Sequence, residues 1–176
     1  MQGSLAERRW NKRSEAWVAL GLGVAGAAVF GLAMGLRLGG LDEARFALGL
    51  PAIVVVATLV TAGSLFIASA FFGIGVPGAQ AAAAGGRALR DGGLVLLGCA
   101  PAVLFLMATT PDRGAALLWG LAFTFAGGLA IARGLLALVR PGSARLFAAA
   151  WSVVGLGIAG RLFVTLCEAA MRGGRS

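Results

Sequence analysis

AWVALGLGVAGAAVFGLAMGL, residues 16–36, is an uninterrupted apolar run of 21 residues. As a helix rising 1.5 Å per residue it spans about 31 Å, the thickness of a bilayer's hydrocarbon core. Lipid offers no partner for backbone N–H and C=O groups, so such a run must pair them internally. It follows ERRWNKRSE, which carries Arg8, Arg9, Lys12 and Arg13. A secretory signal has a shorter apolar core and a small-residue cleavage site, so the run is expected to be a retained first span. The RRW triplet lacks the rest of a twin-arginine motif and reads as juxtamembrane anchoring.

The same pattern recurs. Pro51 is best tolerated in the first turn of a helix, which places the second span at about 50–72. The connection RLGGLDEARF has room for a short interfacial helix started by Asp42 or Glu43. Residues 73–91 read as the longest connection, with Pro77, four alanines and Gly85-Gly86, and Asp91 as N-cap of a third span over 92–109. TTPDRG is a compact turn before a fourth span over 115–139, and RPGS breaks the chain before a fifth over 145–171. The expected organisation is a basic N-terminal segment at 1–15, a membrane domain at 16–171 and a short tail at 172–176.

Composition agrees. The 176 residues are 59% hydrophobic and 12% charged, with mean hydropathy +0.91. A soluble domain carries about 25% charged residues to wet its surface. The chain therefore reads as an all-α polytopic membrane bundle of five transmembrane helices. The net charge of +8 does not form a nucleic-acid patch, because the cations sit in short clusters between apolar runs. The arginine-rich, alanine- and glycine-rich composition suggests a GC-rich bacterial genome. With the N-terminus cytoplasmic, nine Lys and Arg residues flank the spans inside and five outside. That asymmetry predicts an N-in, C-out topology in a bacterial inner membrane.

Few residues carry chemistry. There is no His or Tyr, there are only seven carboxylates, and Cys99 and Cys167 both lie within apolar runs. No metal set, nucleophile–base pair or cofactor motif is legible, so neither an enzyme nor a cofactor is expected. Both cysteines are expected to be free thiols. Thr58, Thr61, Ser64 and Ser69 are scattered through the second span and are expected to bond to their own helix.

Three features stand out. Small residues recur at fourfold spacing, Gly23, Ala27, Gly31, Gly35 and Gly39 in the first span and Gly120, Thr124, Gly128 and Ala132 in the fourth. Such stripes let helix backbones approach closely, within one chain or between copies in a homo-oligomer. Pro101 removes a hydrogen bond to the Leu97 carbonyl and predicts a kink. Arg161 sits about 15 Å from the end of the fifth span, two turns before Glu168. It either forms an intramembrane polar site with Glu168 or snorkels to the outer interface, with the helix ending early near Cys167.

The stretches SLFIASAFFG, LLGCAPAVLFLMATTP and FTFAGGLAIARGLL, between Leu50 and Leu135, resemble small bacterial Yip-type membrane proteins. The resemblance covers about half the chain and implies five closely spaced spans with a cytoplasmic N-terminus. Eukaryotic members pair small-GTPase partners with a long cytoplasmic N-terminal region, which here is about 15 residues. The resulting expectation is a non-catalytic scaffold, accessory subunit or partner-binding module that contacts the lipid bilayer and a membrane-protein partner or a second copy of itself. The alternative is a small transporter or channel subunit using Arg161 and Glu168.

Overall fold

The structure, a computed structural model, describes residues 3–36, 41–71, 73, 77–137 and 143–173. They form five helices: α1 (Gly3–Gly35), α2 (Leu41–Phe71), α3 (Gly78–Thr109), α4 (Arg113–Leu136) and α5 (Ser143–Gly173). Each contains a stretch long and apolar enough to cross a membrane: Trp17–Gly35, Glu43–Ile67, Gly78–Thr109, Gly114–Leu136 and Ala148–Ala170. Trp17, Leu59, Ile67, Phe105, Leu118 and Val153 stay exposed around the bundle. In water they would form an aggregating surface, whereas in lipid they cost nothing.

α1 packs on α2 and α3, α3 on α4, and α5 closes against α2 and α4. α1 and α3 run parallel. A methyl group at Gly23 would come within 2.6 Å of the Leu89 carbonyl oxygen, and one at Gly26 would strike the backbone of Gly93. α1 and α2 run antiparallel, with Gly31 against Phe46 and Leu50, and so do α3 and α4, with Gly127 against Leu96 and Gly134 against Ala88. The main core gathers Phe30, Phe46, Leu50, Leu96, Val103 and Phe163, and a smaller cluster of Leu65, Ala88, Leu135 and Ala148 lies apart from it.

Several helix ends depart from the sequence expectations. α1 starts at Gly3, so the basic segment continues the first helix. α2 starts at Leu41 and runs unbroken, leaving no separate interfacial helix and placing Pro51 within it. The ring is tolerated there because buried neighbours hold the helix around the missing bond. α3 starts at Gly78, so most of the expected long connection is helix. Alanine is the best helix former, and the run AQAAAA outweighs Gly85-Gly86. Asp91 is therefore not an N-cap. Its Oδ1 accepts from Arg90 Nε and Nη2 at 3.0 and 2.9 Å. The side-chain cap stands one helix on, where Asp112 accepts from the Ala115 amide at 2.8 Å and opens α4. α5 passes Cys167 and ends at Gly173, not early. Arg140, Pro141 and Gly142 of the RPGS break, and Gly39, fall outside the described residues, and Ser143 opens α5.

Candidate functional site

A cavity of about 50 Å³ lies between α2, α4 and α5. Four hydroxyls line it: Thr58 and Thr61 from α2, Thr124 from α4 and Ser152 from α5. Ile53, Ile131 and Leu135 are among the apolar side chains around them. Thr58, Thr61 and Ser152 are buried. The spacing of Thr58 and Thr61 puts both on one face of α2. Thr61 Oγ1 sits where a side chain at Gly155 would be, so the glycine is what lets that hydroxyl reach α5.

Every one of these hydroxyls donates to a carbonyl one turn back. Thr58 Oγ1 donates to the Val54 carbonyl and Thr61 Oγ1 to that of Ala57, each at 2.7 Å. Thr124 Oγ1 donates to the Gly120 carbonyl and Ser152 Oγ to that of Ala148, each at 2.8 Å. Their protons are thus committed, and what remains on the oxygens is acceptor capacity. The space admits a few water-sized groups that donate hydrogen bonds. Among the described residues its lining holds no acid, base or thiol able to activate a hydroxyl.

The expectation that the second-span hydroxyls bond to their own helix describes Thr58, Thr61 and also Ser69, which donates to the Phe66 carbonyl at 2.8 Å. What that reading missed was convergence. Thr124 and Ser152 come from helices far apart in sequence, and only the helix pairing brings them to the α2 pair. The spacing of Thr58 and Thr61 was the one local signal.

Arg161 stands elsewhere. The packed face of α5 runs through Ala148, Ser152, Gly155, Phe163 and Cys167, all buried. Arg161 lies two residues before Phe163, about 200° around the helix, and is exposed. It shares the outward stripe with Val154, Gly157, Ile158 and Thr165, also exposed. Within Ala148–Ala170 it stands nine residues, about 13 Å, from the far end. Glu168 is half-buried, and the two form no ion pair with each other; an ion pair on α3 joins Arg90 and Asp91. Neither residue lines the hydroxyl cavity.

The small residues expected at helix contacts are placed as follows. Gly23 faces α3 and Gly31 faces α2, while Ala27 and Gly35 are buried. Gly120 faces Met34, and Gly128 faces Leu156 of α5. Pro101 is exposed, and α3 continues through it as helix. Cys99 and Cys167 are free thiols, half-buried and buried.

Compared with protein-family models, curated proteins and solved structures, the chain matches none.

Proposed function

We propose that this chain is a non-catalytic integral membrane protein, an accessory or scaffolding subunit that binds a second membrane protein through the outward face of α5. The observation that carries this reading is Arg161, exposed opposite the packed face and well inside an apolar span. An arginine near the centre of a lipid-facing helix costs about 2.5–3.5 kcal/mol on the insertion scale. A carboxylate or carbonyl supplied by a partner helix removes that cost. Beside it, a Cβ built at Gly157 or Gly160 meets no atom within 4 Å, so a partner backbone has room to approach.

A photo-crosslinking side chain at Ile158, in native membranes, tests the surface. A discrete protein adduct is expected from Ile158 and none from Leu104, which is exposed on α3. Lipid adducts alone at both positions would remove the reading.

The membrane in this proposal is a bacterial inner membrane, with N-in, C-out topology. Supporting it, the N-terminal ends of α1 and α3 and the C-terminal end of α4 share one end of the bundle. Arg87, Arg90 and Arg133 therefore lie toward the same end as Lys12 and Arg13. Alkaline phosphatase fused after Ser176 is expected to be active and a fluorescent protein there dark. The opposite result excludes this topology.

The hydroxyl cavity favours a second reading, a small transporter or channel subunit, with Thr58, Thr61, Thr124 and Ser152 rather than Arg161 and Glu168 along the path. Flux in proteoliposomes that disappears in Thr61→Val would establish it.

A further inference from the structure

Three arginines, Arg87 and Arg90 of α3 and Arg133 of α4, gather on one side of the bundle. α2 joins α1 and α5 behind the α3–α4 pair. On α3, Leu89 and Gly93 face α1 at Gly23, while Ala88 and Gly92 face α4 at Gly134 and Ile131. Each step along a helix turns the side chain by about 100°. Arg87 and Asp91, one step before Ala88 and Gly92, are thereby turned to the outer side, past α4 and away from α1. On α4, Gly134 faces α3, and Ala132 lines the hydroxyl cavity with α5. Arg133 stands about 100° from each and takes the third side, which is the same outer face. Arg87 and Arg133 are both exposed. They adjoin Ala88 and Gly134, where a Cβ on the glycine would lie 3.0 Å from the alanine Cα, so the two arginines spring from touching turns.

The cluster has more positive charge than it neutralises. Its carboxylate, Asp91, accepts from Arg90 Nε and Nη2 at 3.0 and 2.9 Å. Among the described residues Arg87 and Arg133 pair with no acid. Guanidinium groups side by side at the edge of a low-dielectric medium repel each other, and an anion between them removes that cost.

Depth says which anion. α3 ends at Thr109 and α4 starts at Arg113, on either side of a polar turn capped by Asp112. Arg90 and Arg87 stand 19 and 22 residues before Thr109, and Arg133 stands 20 after Arg113. At 1.5 Å per residue these lengths are about 28–33 Å, the hydrocarbon thickness of a bilayer. With the turn at one boundary, all three arginines reach the other, where a phospholipid carries its phosphate. Just inside them the same outer seam is apolar, with Val95 of α3 and Ala126 and Ala130 of α4 beside the contact of Leu96 with Gly127.

We propose that Arg87, Arg90 and Arg133 bind the phosphate of an anionic phospholipid at the boundary end of the α3–α4 seam, its acyl chains lying along the apolar part of that seam. The planar fork of a guanidinium group suits the paired oxygens of a phosphate. A zwitterionic headgroup brings its own cation to the same place, so the cluster selects an anionic one.

The full chain, delipidated in a neutral detergent, is titrated with phosphatidylglycerol, phosphatidylcholine or inorganic phosphate, and native mass spectrometry reads binding. Phosphatidylglycerol is expected to bind on the order of 30-fold more tightly than phosphatidylcholine, from about 1 kcal/mol for each of Arg87 and Arg133. Phosphate alone should not bind, because it lacks the acyl chains. Arg87→Gln with Arg133→Gln should bring the two lipids to near parity. Arg45→Gln removes one charge at the opposite end of the bundle, where Gly31 meets Phe46, and should keep the preference. Equal binding of the two lipids to the parent overturns the proposal, as does a preference that survives the double variant, one that Arg45→Gln also erases, or binding that phosphate alone reproduces. A phosphatidylglycerol with a photoreactive headgroup reads the site on the parent chain, whether or not the variants fold. Label on residues 87–91 or 130–136 is expected, and label confined to other segments overturns the assignment.

Discussion

Gly93→Leu is expected to unfold the α1–α3 contact, lowering stability in detergent by at least about 3 kcal/mol. Ordinary overpacking costs about 1–3 kcal/mol, because neighbouring side chains can shift. Here they cannot. A Cβ at Gly93 collides with the carbonyl oxygen, Cα and carbonyl carbon of Gly23, and Gly26 meets Gly93 in the same way from the other side. The new atoms strike backbone, so α1 as a whole must move, and Phe30 and Met34, fully buried further along it, lose their contacts. Nothing in lipid offsets that loss, since a leucine buried between helices is no better solvated than one facing acyl chains. Gly98→Leu is the matched control, on the same helix with open space at its Cβ. It should be neutral or stabilising by up to about 1 kcal/mol, from the better helix propensity of leucine. Denaturation of both variants in detergent measures the difference. Equal stability of the two would show that the close α1–α3 approach is not what holds the bundle together.

The existence of the five helices was legible because the apolar runs are long and their interruptions abrupt. Their ends were less so, for identifiable reasons. Gly85-Gly86 looks like punctuation, yet in α3 the pair lines a groove beside α2, with the Ala62 methyl near Gly85 and open space at Gly86. Pro51 looks like a helix start, yet α2 has ten residues before it. Asp91 looked like a cap because it precedes an apolar run, but its carboxylate is already held by Arg90. Asp112 follows a proline and has the compact turn a cap needs, so the local signal there was the sounder one.

The candidate site was legible only residue by residue. Thr58 and Thr61 could be placed on one face of one helix, and their bonds to their own carbonyls anticipated. That Thr124 and Ser152 meet them depends on which helices are neighbours, and apolar runs of similar composition do not encode this visibly. The small-residue spacing offered partial help. It picked out Gly23 and Gly31, but Gly26 and Gly93, which also make close backbone approaches where α1 crosses α3, lie off the fourfold series. At the α1–α3 crossing the small residues Gly26 and Gly93 stand on both helices, and one helix read alone does not reveal where the crossing falls.

Arg161→Leu should separate the subunit's own stability from its association. On the outward stripe of α5 the arginine contributes no packing to the bundle core. The leucine variant should therefore unfold in detergent at the parent's temperature, and it should insert at least as well, since it removes a cost of about 2.5–3.5 kcal/mol. Association should respond oppositely. If a partner's acid or carbonyl faces Arg161 in the complex, leucine leaves that group unpaired away from water. Breaking such a pair costs about 3–5 kcal/mol, or roughly 100-fold or more in affinity. The Ile158 crosslink should then vanish while expression and melting stay unchanged. Arg161→Lys should retain part of it, because an ammonium keeps the charge without the planar fork of donors. Two results would reverse the assignment. An undiminished Ile158 adduct in Arg161→Leu would mean that the arginine only snorkels. A clear fall in melting temperature, restored by adding Glu168→Leu, would mean instead that the two residues are coupled within one chain, and the weight would pass from accessory subunit to transporter.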